Sequence, residues 1–223
     1  MKKNKVFFYF LMFFPLVITV CALFFLPDKI PAHYGFDGQV DRWGSKYETL
    51  IFPAITIVFG FFMLAMAKFS SKQEGSGKNN EKVCIVTGIM SLLIFNAMTV
   101  YFLYTDFKEI GNLNAVPVSL NQILFGLLGA FMIVVGNLMP KLKLNSIIGL
   151  RTSWSMKNDI TWQKSQRFGG ISFIVTGIII IVINFVIRDY SSIFLSLAVA
   201  VLSLIIDIFY TYKVAKKYGD LED

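Results

Sequence analysis

This chain is poor in the residues from which soluble catalytic and metal sites are built. It holds one histidine, His33, in 223 residues, which excludes a multi-histidine metal centre or a paired-imidazole catalytic site. It has two cysteines, Cys21 and Cys84. They fall near opposite ends of the apolar runs described below, at depths roughly 20 Å apart by helical rise. A disulfide needs Cα atoms within about 7 Å, so no intrachain bridge is expected. No segment between apolar runs exceeds about 30 residues, too short for an inserted soluble domain. No internal repeat is visible, which leaves the inverted-repeat transporter plan without support.

Long apolar runs take the place of these missing features. They are Val6–Leu26, Leu50–Ala67, Val83–Tyr104, Ile123–Met139, Ile171–Ile187 and Ile193–Tyr212. Each is about 20 residues long, enough to cross a hydrocarbon core of roughly 30 Å. Backbone groups in lipid must be satisfied within the segment, so such runs are expected to be helices. The predicted fold class is an all-α, polytopic bundle of six transmembrane helices. The first run is longer than the apolar core of a signal peptide and lacks a small-x-small cleavage pattern, so it is expected to be retained.

The basic residues set the orientation. Lys2, Lys3 and Lys5 precede the first run, and Lys68, Lys72, Lys78 and Lys82 follow the second. Lys141, Lys143, Arg151, Lys157, Lys164 and Arg167 follow the fourth, and Lys213, Lys216 and Lys217 follow the sixth. Only Lys29, Arg42, Lys46, Lys108 and Arg188 fall on the other side. Positive charge is retained in the cytoplasm, so both termini are predicted inside and the first loop outside. The net charge of +7 is then a cytoplasmic rim facing anionic membrane lipids. No basic stripe interleaved with aromatics is present, and no direct nucleic-acid binding is expected. The Phe-, Ile-, Lys- and Asn-rich composition, without a eukaryotic targeting signal, points to the bacterial cell membrane.

Residues 70–82 read as a flexible polar cytoplasmic linker. It would divide the chain into a two-helix part, 1–69, and a four-helix part, 83–223. Gly126, Gly129, Ala130 and Gly136 give the fourth helix a small-residue face suited to close packing. Asn96, Asn137 and Asn184 are candidates for hydrogen bonds between helices. Asp207 is an intramembrane carboxylate, either functional or held by a basic group from the loop before the fifth helix. No chain of ionisable groups reaches the midplane, which argues against an ion-coupled pump.

Two loops carry most of the remaining information. In the first, Pro27 ends a helix, Pro31 keeps the chain extended and Asp37-Gly38 is a turn signal. Tyr34, Phe36 and Trp43 suit the headgroup level, so an ordered external cap is expected. Its candidate binding residues are Pro31, His33, Asp37, Gly38, Asp41, Arg42, Trp43 and Lys46. The Asp and Arg side chains would recognise peptide charge or lipid headgroups, and Trp43 would supply apolar contact. His33 with Asp28, Asp37 and Asp41 could be drawn as a metal site, but no ligand-spacing signature accompanies them. No metal or other cofactor is expected.

In the second loop, Asn158 or Asp159 is a candidate N-cap for a helix that carries Trp162, Lys164 and Arg167 into the fifth run. Trp154, Trp162 and Phe168 would lie at the interface as a collar. Alternatively, Asn145, Gly149, Arg151, Trp154, Trp162, Lys164 and Arg167 form a cytoplasmic docking surface, or support the connection between helices.

The segment Leu26-Pro27-Asp28, Ile30-Pro31-Ala32-His33 and Gly38-Gln39-Val40-Asp41-Arg42-Trp43-Gly44-Ser45-Lys46 resembles the external signature of the SdpI-type (sporulation-delaying-protein immunity) family of bacterial membrane proteins. Asn145, Ile148-Gly149-Leu150-Arg151-Thr152, Trp154, Trp162 and Gln166-Arg167 resemble its second signature. Ser153 departs from the pattern, which has proline there. The resemblance implies a non-enzymatic protein that protects the cell from a secreted, membrane-active peptide toxin. It also implies capture of a small cytoplasmic transcriptional repressor when toxin is bound. Two other classes stay open: an exporter of toxin or lipid, and a membrane-embedded hydrolase or lipid-modifying enzyme.

Overall fold

A computed structural model describes residues 2–35, 37–72, 77–116, 118–187 and 189–220. Phe36, Arg188 and residues 73–76 of the expected linker lie outside the described residues. Six helices carry the fold: α1 Lys2–Leu23, α2 Ile51–Ser71, α3 Gly77–Phe107, α4 Leu120–Leu138, α5 Asp159–Val186 and α6 Ser191–Tyr218. All six are long and apolar enough to cross a membrane. Val58, Val186, Phe194 and Leu204 stand on the surface. In water so much exposed apolar area would be an aggregation hazard, whereas lipid covers it without cost.

The helices outrun the apolar segments. α5 starts at Asp159 rather than near Ile171, because the Asn158 side chain accepts from the Thr161 amide at 2.9 Å while Thr161 Oγ1 accepts from the Asn158 amide at 3.1 Å. This reciprocal cap satisfies two of the orphan donors at a helix start. α3 starts at Gly77, inside the segment read as a flexible linker. The linker reading fails from there onward, because Asn80 is buried and its amide is used twice on the Lys143 backbone, at 3.1 and 3.2 Å.

Among the described residues, the one departure from helices and their connections is an antiparallel hairpin, β1 Lys29–Tyr34 and β2 Val40–Ser45, between α1 and α2. Its register pairs Pro31 with Trp43 and His33 with Arg42, leaving Ala32 as an unpaired bulge.

By compactness the chain divides into residues 1–62 with 89–124, and residues 63–88 with 125–223. In the first unit, Ala22 and Leu26 pack with Leu103. Phe52 and Phe59 on α2 meet Phe95 and Phe102 on α3 at ring separations of 5.3 to 6.4 Å. The Asn96 amide donates to the Leu11 carbonyl of α1 at 2.8 Å and to the Leu92 carbonyl at 2.7 Å, the interhelical role expected of it.

In the second unit the small-residue face of α4 meets glycines on α5. A Cβ on Gly129 would lie 2.6 Å from the Gly177 carbonyl oxygen, and one on Gly136 would lie 2.6 Å from that of Gly170. The relation is reciprocal, so backbone meets backbone at two levels, as small residues permit. Gly126 takes no part, since its nearest neighbour would be 4.0 Å away. Asn184 on α5 donates to Ser196 Oγ on α6 at 2.7 Å, whereas Asn137 is exposed. Both cysteines are free.

Candidate functional site

The hairpin is held at its base, its tip and along one edge. At the base, Lys46 Nζ pairs with Asp28 Oδ1 at 2.9 Å. At the tip, Gly38 adopts φ +77°, a left-handed conformation that glycine takes at little cost. Asp37 Oδ1 accepts from the Gln39 amide at 3.0 Å. The tip is tied to the segment after α3. The Leu113 amide donates to the Gly38 carbonyl at 2.8 Å, the Val40 amide to that of Gly111 at 3.0 Å, and Asn114 Nδ2 to that of Asp37 at 2.9 Å. The Tyr34 hydroxyl donates to the Ile110 carbonyl at 2.9 Å, and burial pushes its pKa up.

Arg42 and Glu48 lock the edge. Arg42 Nη1 and Nη2 donate to Glu48 Oε1 and Oε2 at 3.2 and 2.9 Å, a bidentate pair. That pair raises the Arg42 pKa above its ordinary value. Glu48 Oε1 also accepts from the Ser45 amide at 3.1 Å, completing a capping box at the entrance to α2. Gly44 has no room for a side chain: a Cβ would run into the Glu48 carboxylate and stand 2.6 Å from the Ala32 Cβ. Glu48 lay outside the sequence reading, although Ser45-x-x-Glu48 is a legible capping-box pattern.

The acids around His33 disperse rather than converge. Asp41 Oδ1 meets His33 Nδ1 at 2.6 Å, Asp28 goes to Lys46, and Asp37 serves the turn. Among the described residues no group of three His, Cys, Asp or Glu side chains could hold a metal ion. Pro31 is buried, and its partner Trp43 is half exposed.

Beneath the hairpin lies a cavity of about 390 Å³. All five residues from Ile30 to Tyr34 line it, with Arg42 and Glu48, Phe52 of α2, and Thr99, Phe102, Leu103 and Asp106 of α3. Sequence reading missed Asp106, because it sits at the polar end of an apolar run and reads as a solvated terminus.

In the second unit, the loop between α4 and α5 is built on side-chain amides. Asn145 is buried: its Oδ1 accepts from the amides of Ile147 and Ile148, both at 2.8 Å, and its Nδ2 donates to the Lys143 and Ile148 carbonyls. Gly149 follows at φ +118°. The fully buried Gln166 grips the next residue by both backbone groups, accepting from the Leu150 amide and donating to its carbonyl, each at 2.9 Å. Trp162 is 0 % exposed and donates from Nε1 to the Leu142 carbonyl at 2.8 Å.

Asn145 and Trp162 therefore hold the loop from within and present nothing to a partner, and Trp162 is no part of an interfacial collar. Trp154 stands edge-on to Tyr212 at 5.4 Å, and half-buried Phe168 stacks on Tyr210 at 3.8 Å. Arg151 and Arg167 are exposed, and Lys164 Nζ lies 4.6 Å over the Tyr218 ring. Arg151, Lys164 and Arg167 are thus the exposed cations among the residues of the second motif. Asp207 is buried beside Ser172, which bonds Ser203 across α5 and α6 at 2.9 Å. Among the described residues no basic group pairs with Asp207, so the loop partner expected for it is not there.

Comparison with known proteins adds to this geometry. Residues 141–211 match the model of the SdpI/YfhL protein family, and residues 10–57 match Domain of unknown function (DUF1648). The two matches contain the second and the first loop signature respectively. The chain is 25% identical over 211 residues to Immunity protein SdpI of Bacillus subtilis (strain 168), covering 90% of this chain and 94% of that protein. It is 40% identical over 43 residues to an uncharacterized protein of Archaeoglobus fulgidus, covering 19% of this chain and 24% of that one. No solved structure gives a significant match. The resemblance to the SdpI-type family, first carried by two loops, is thus joined by a family match over residues 141–211 and by a likeness to Immunity protein SdpI over 90% of a chain with six helices long and apolar enough to cross a membrane.

Proposed function

We propose that this chain is a multi-pass membrane immunity protein that protects its cell against a secreted, membrane-active peptide toxin. The hairpin with its underlying cavity is the toxin-binding element. The observation that carries this reading is the hairpin itself: a loop tied at base, tip and edge over a cavity of about 390 Å³ is organised for binding. The likeness to Immunity protein SdpI along 90% of the chain supplies the biological class. The hairpin faces the outside and the 142–158 loop the cytoplasm, following the distribution of basic residues. The exposed face of Arg151, Lys164 and Arg167 would dock a small transcriptional repressor, so that toxin binding and gene induction are coupled.

Protection is the test. Cells carrying Asp41→Ala or Arg42→Ala at wild-type membrane levels are expected to survive toxin no better than cells lacking the protein. Arg151→Ala is expected to keep protection and lose induction of the neighbouring operon. Wild-type survival of both hairpin variants would refute the binding assignment. The orientation is checked separately, with single cysteines at Asp37 and Lys157. An impermeant thiol reagent on intact cells should label the first and spare the second, and the reverse pattern would invert the topology.

A further inference from the structure

The cavity under the hairpin holds a buried carboxyl group without a protein partner. Asp106 is 3% exposed and lines the cavity, and no hydrogen bond or ion pair among the described residues engages its carboxylate. The other polar groups with titratable side chains in the wall are already engaged, Arg42 with Glu48 and His33 with Asp41. Phe52, Phe102 and Leu103 supply apolar surface in the same wall, beside the hydroxyl-bearing Tyr34 and Thr99. A polar group withdrawn from water without a partner is costly, and a carboxylate more so. Such a carboxyl either takes up a proton or meets a cation that enters the cavity.

We propose that the cavity receives a primary ammonium carried on an apolar peptide segment, with the Asp106 carboxylate as its counter-charge. The volume suits a lysine side chain or an amino-terminal residue together with an apolar neighbour. The phenylalanine rings take the apolar stem and flank the cation. This rests on the reading of the hairpin as toxin-binding and specifies the chemistry that it recognises.

The experiment uses the full chain in nanodiscs of phosphatidylcholine and phosphatidylglycerol. The probes are a capped Leu-Leu-Lys-Leu-Leu peptide and its Nε-acetyllysine twin, with binding to empty nanodiscs subtracted. Wild type is expected to bind the free-lysine peptide about ten-fold more tightly than the acetylated one, the discrimination a charge-assisted hydrogen bond supplies. Asp106→Asn is expected to lose that preference.

Equal binding of the two peptides by wild type would overturn the proposal, and that comparison needs no variant to fold. A preference retained in Asp106→Asn would overturn it as well. Displacement of the peptide when phosphatidylethanolamine is added to the nanodiscs would assign the site to a lipid amine instead. Toxin survival of the same wild-type protein separates this proposal from the one beneath it. Protection without lysine preference sinks the ammonium site alone, and lysine preference without protection sinks the immunity reading alone.

Discussion

Gly136→Leu is expected to yield no folded protein. The first side-chain carbon alone would stand 2.6 Å from the Gly170 carbonyl oxygen and 2.9 Å from the Ile174 side chain. Both obstacles belong to α5, and a carbonyl in a helix ladder cannot rotate away, so the only relief is to part the helices. Parting them also opens the Gly129–Gly177 crossing, one level along the same pair. Gly136→Ala adds that first carbon alone, so it parts the helices by less than leucine does and should cost about 1–3 kcal/mol by overpacking. Gly126→Ala is the control: with nothing closer than 4.0 Å, it should stay within about 0.5 kcal/mol of wild type. Size-exclusion profiles and thermal aggregation of detergent-purified protein check the series. A monodisperse Gly136→Leu protein at wild-type yield would show that the two helices do not cross at these glycines.

Trp162→Ala carries the second large effect. The side chain is 0 % exposed and packs with Val83, Val135, Met139 and Leu142. Its removal should cost about 3–5 kcal/mol, as for other buried large-to-small changes. Trp162→Phe keeps much of the volume and loses the 2.8 Å bond to the Leu142 carbonyl, so it should cost only about 1–2 kcal/mol. Trp154→Ala, at a half-buried position, should cost about 1 kcal/mol, the scale of one edge-to-face pair with Tyr212. Thermal unfolding of the three variants under identical detergent conditions orders them. If Trp154→Ala proved the worst, the loop would be organised from its surface and not from Trp162.

What could be read directly from the residues divides along physical lines. The helices were legible because lipid demands about 20 apolar residues and leaves few alternatives to a helix. Their ends were less so. Gly77–Lys82 and Asp159–Gly170 are polar, and polarity does not distinguish a solvated helical turn from a loop. Asn158 was readable as a cap because its mechanism is local.

The hairpin was expected only as an ordered cap. Pro31 argues against a central strand, and nothing local announces that the tip will be fastened to Gly111 and Leu113, more than seventy positions away. Of the docking candidates, Asn145 and Trp162 proved to be internal supports, because an amide and an indole suit a buried network as well as a surface. Gln166 was passed over for the same reason: its value lies in gripping Leu150, and that partner is visible only in three dimensions.

The two motif-bearing regions are fastened by different forces, and so they answer differently to the medium. The hairpin rests in part on exposed ion pairs, Arg42 with Glu48 and Lys46 with Asp28, whose strength falls as electrolyte shortens the screening length. The Asn145 and Gln166 supports are uncharged and buried, so neither salt nor proton concentration loosens them. A change in salt concentration thus reaches the hairpin and leaves the other loop as it was.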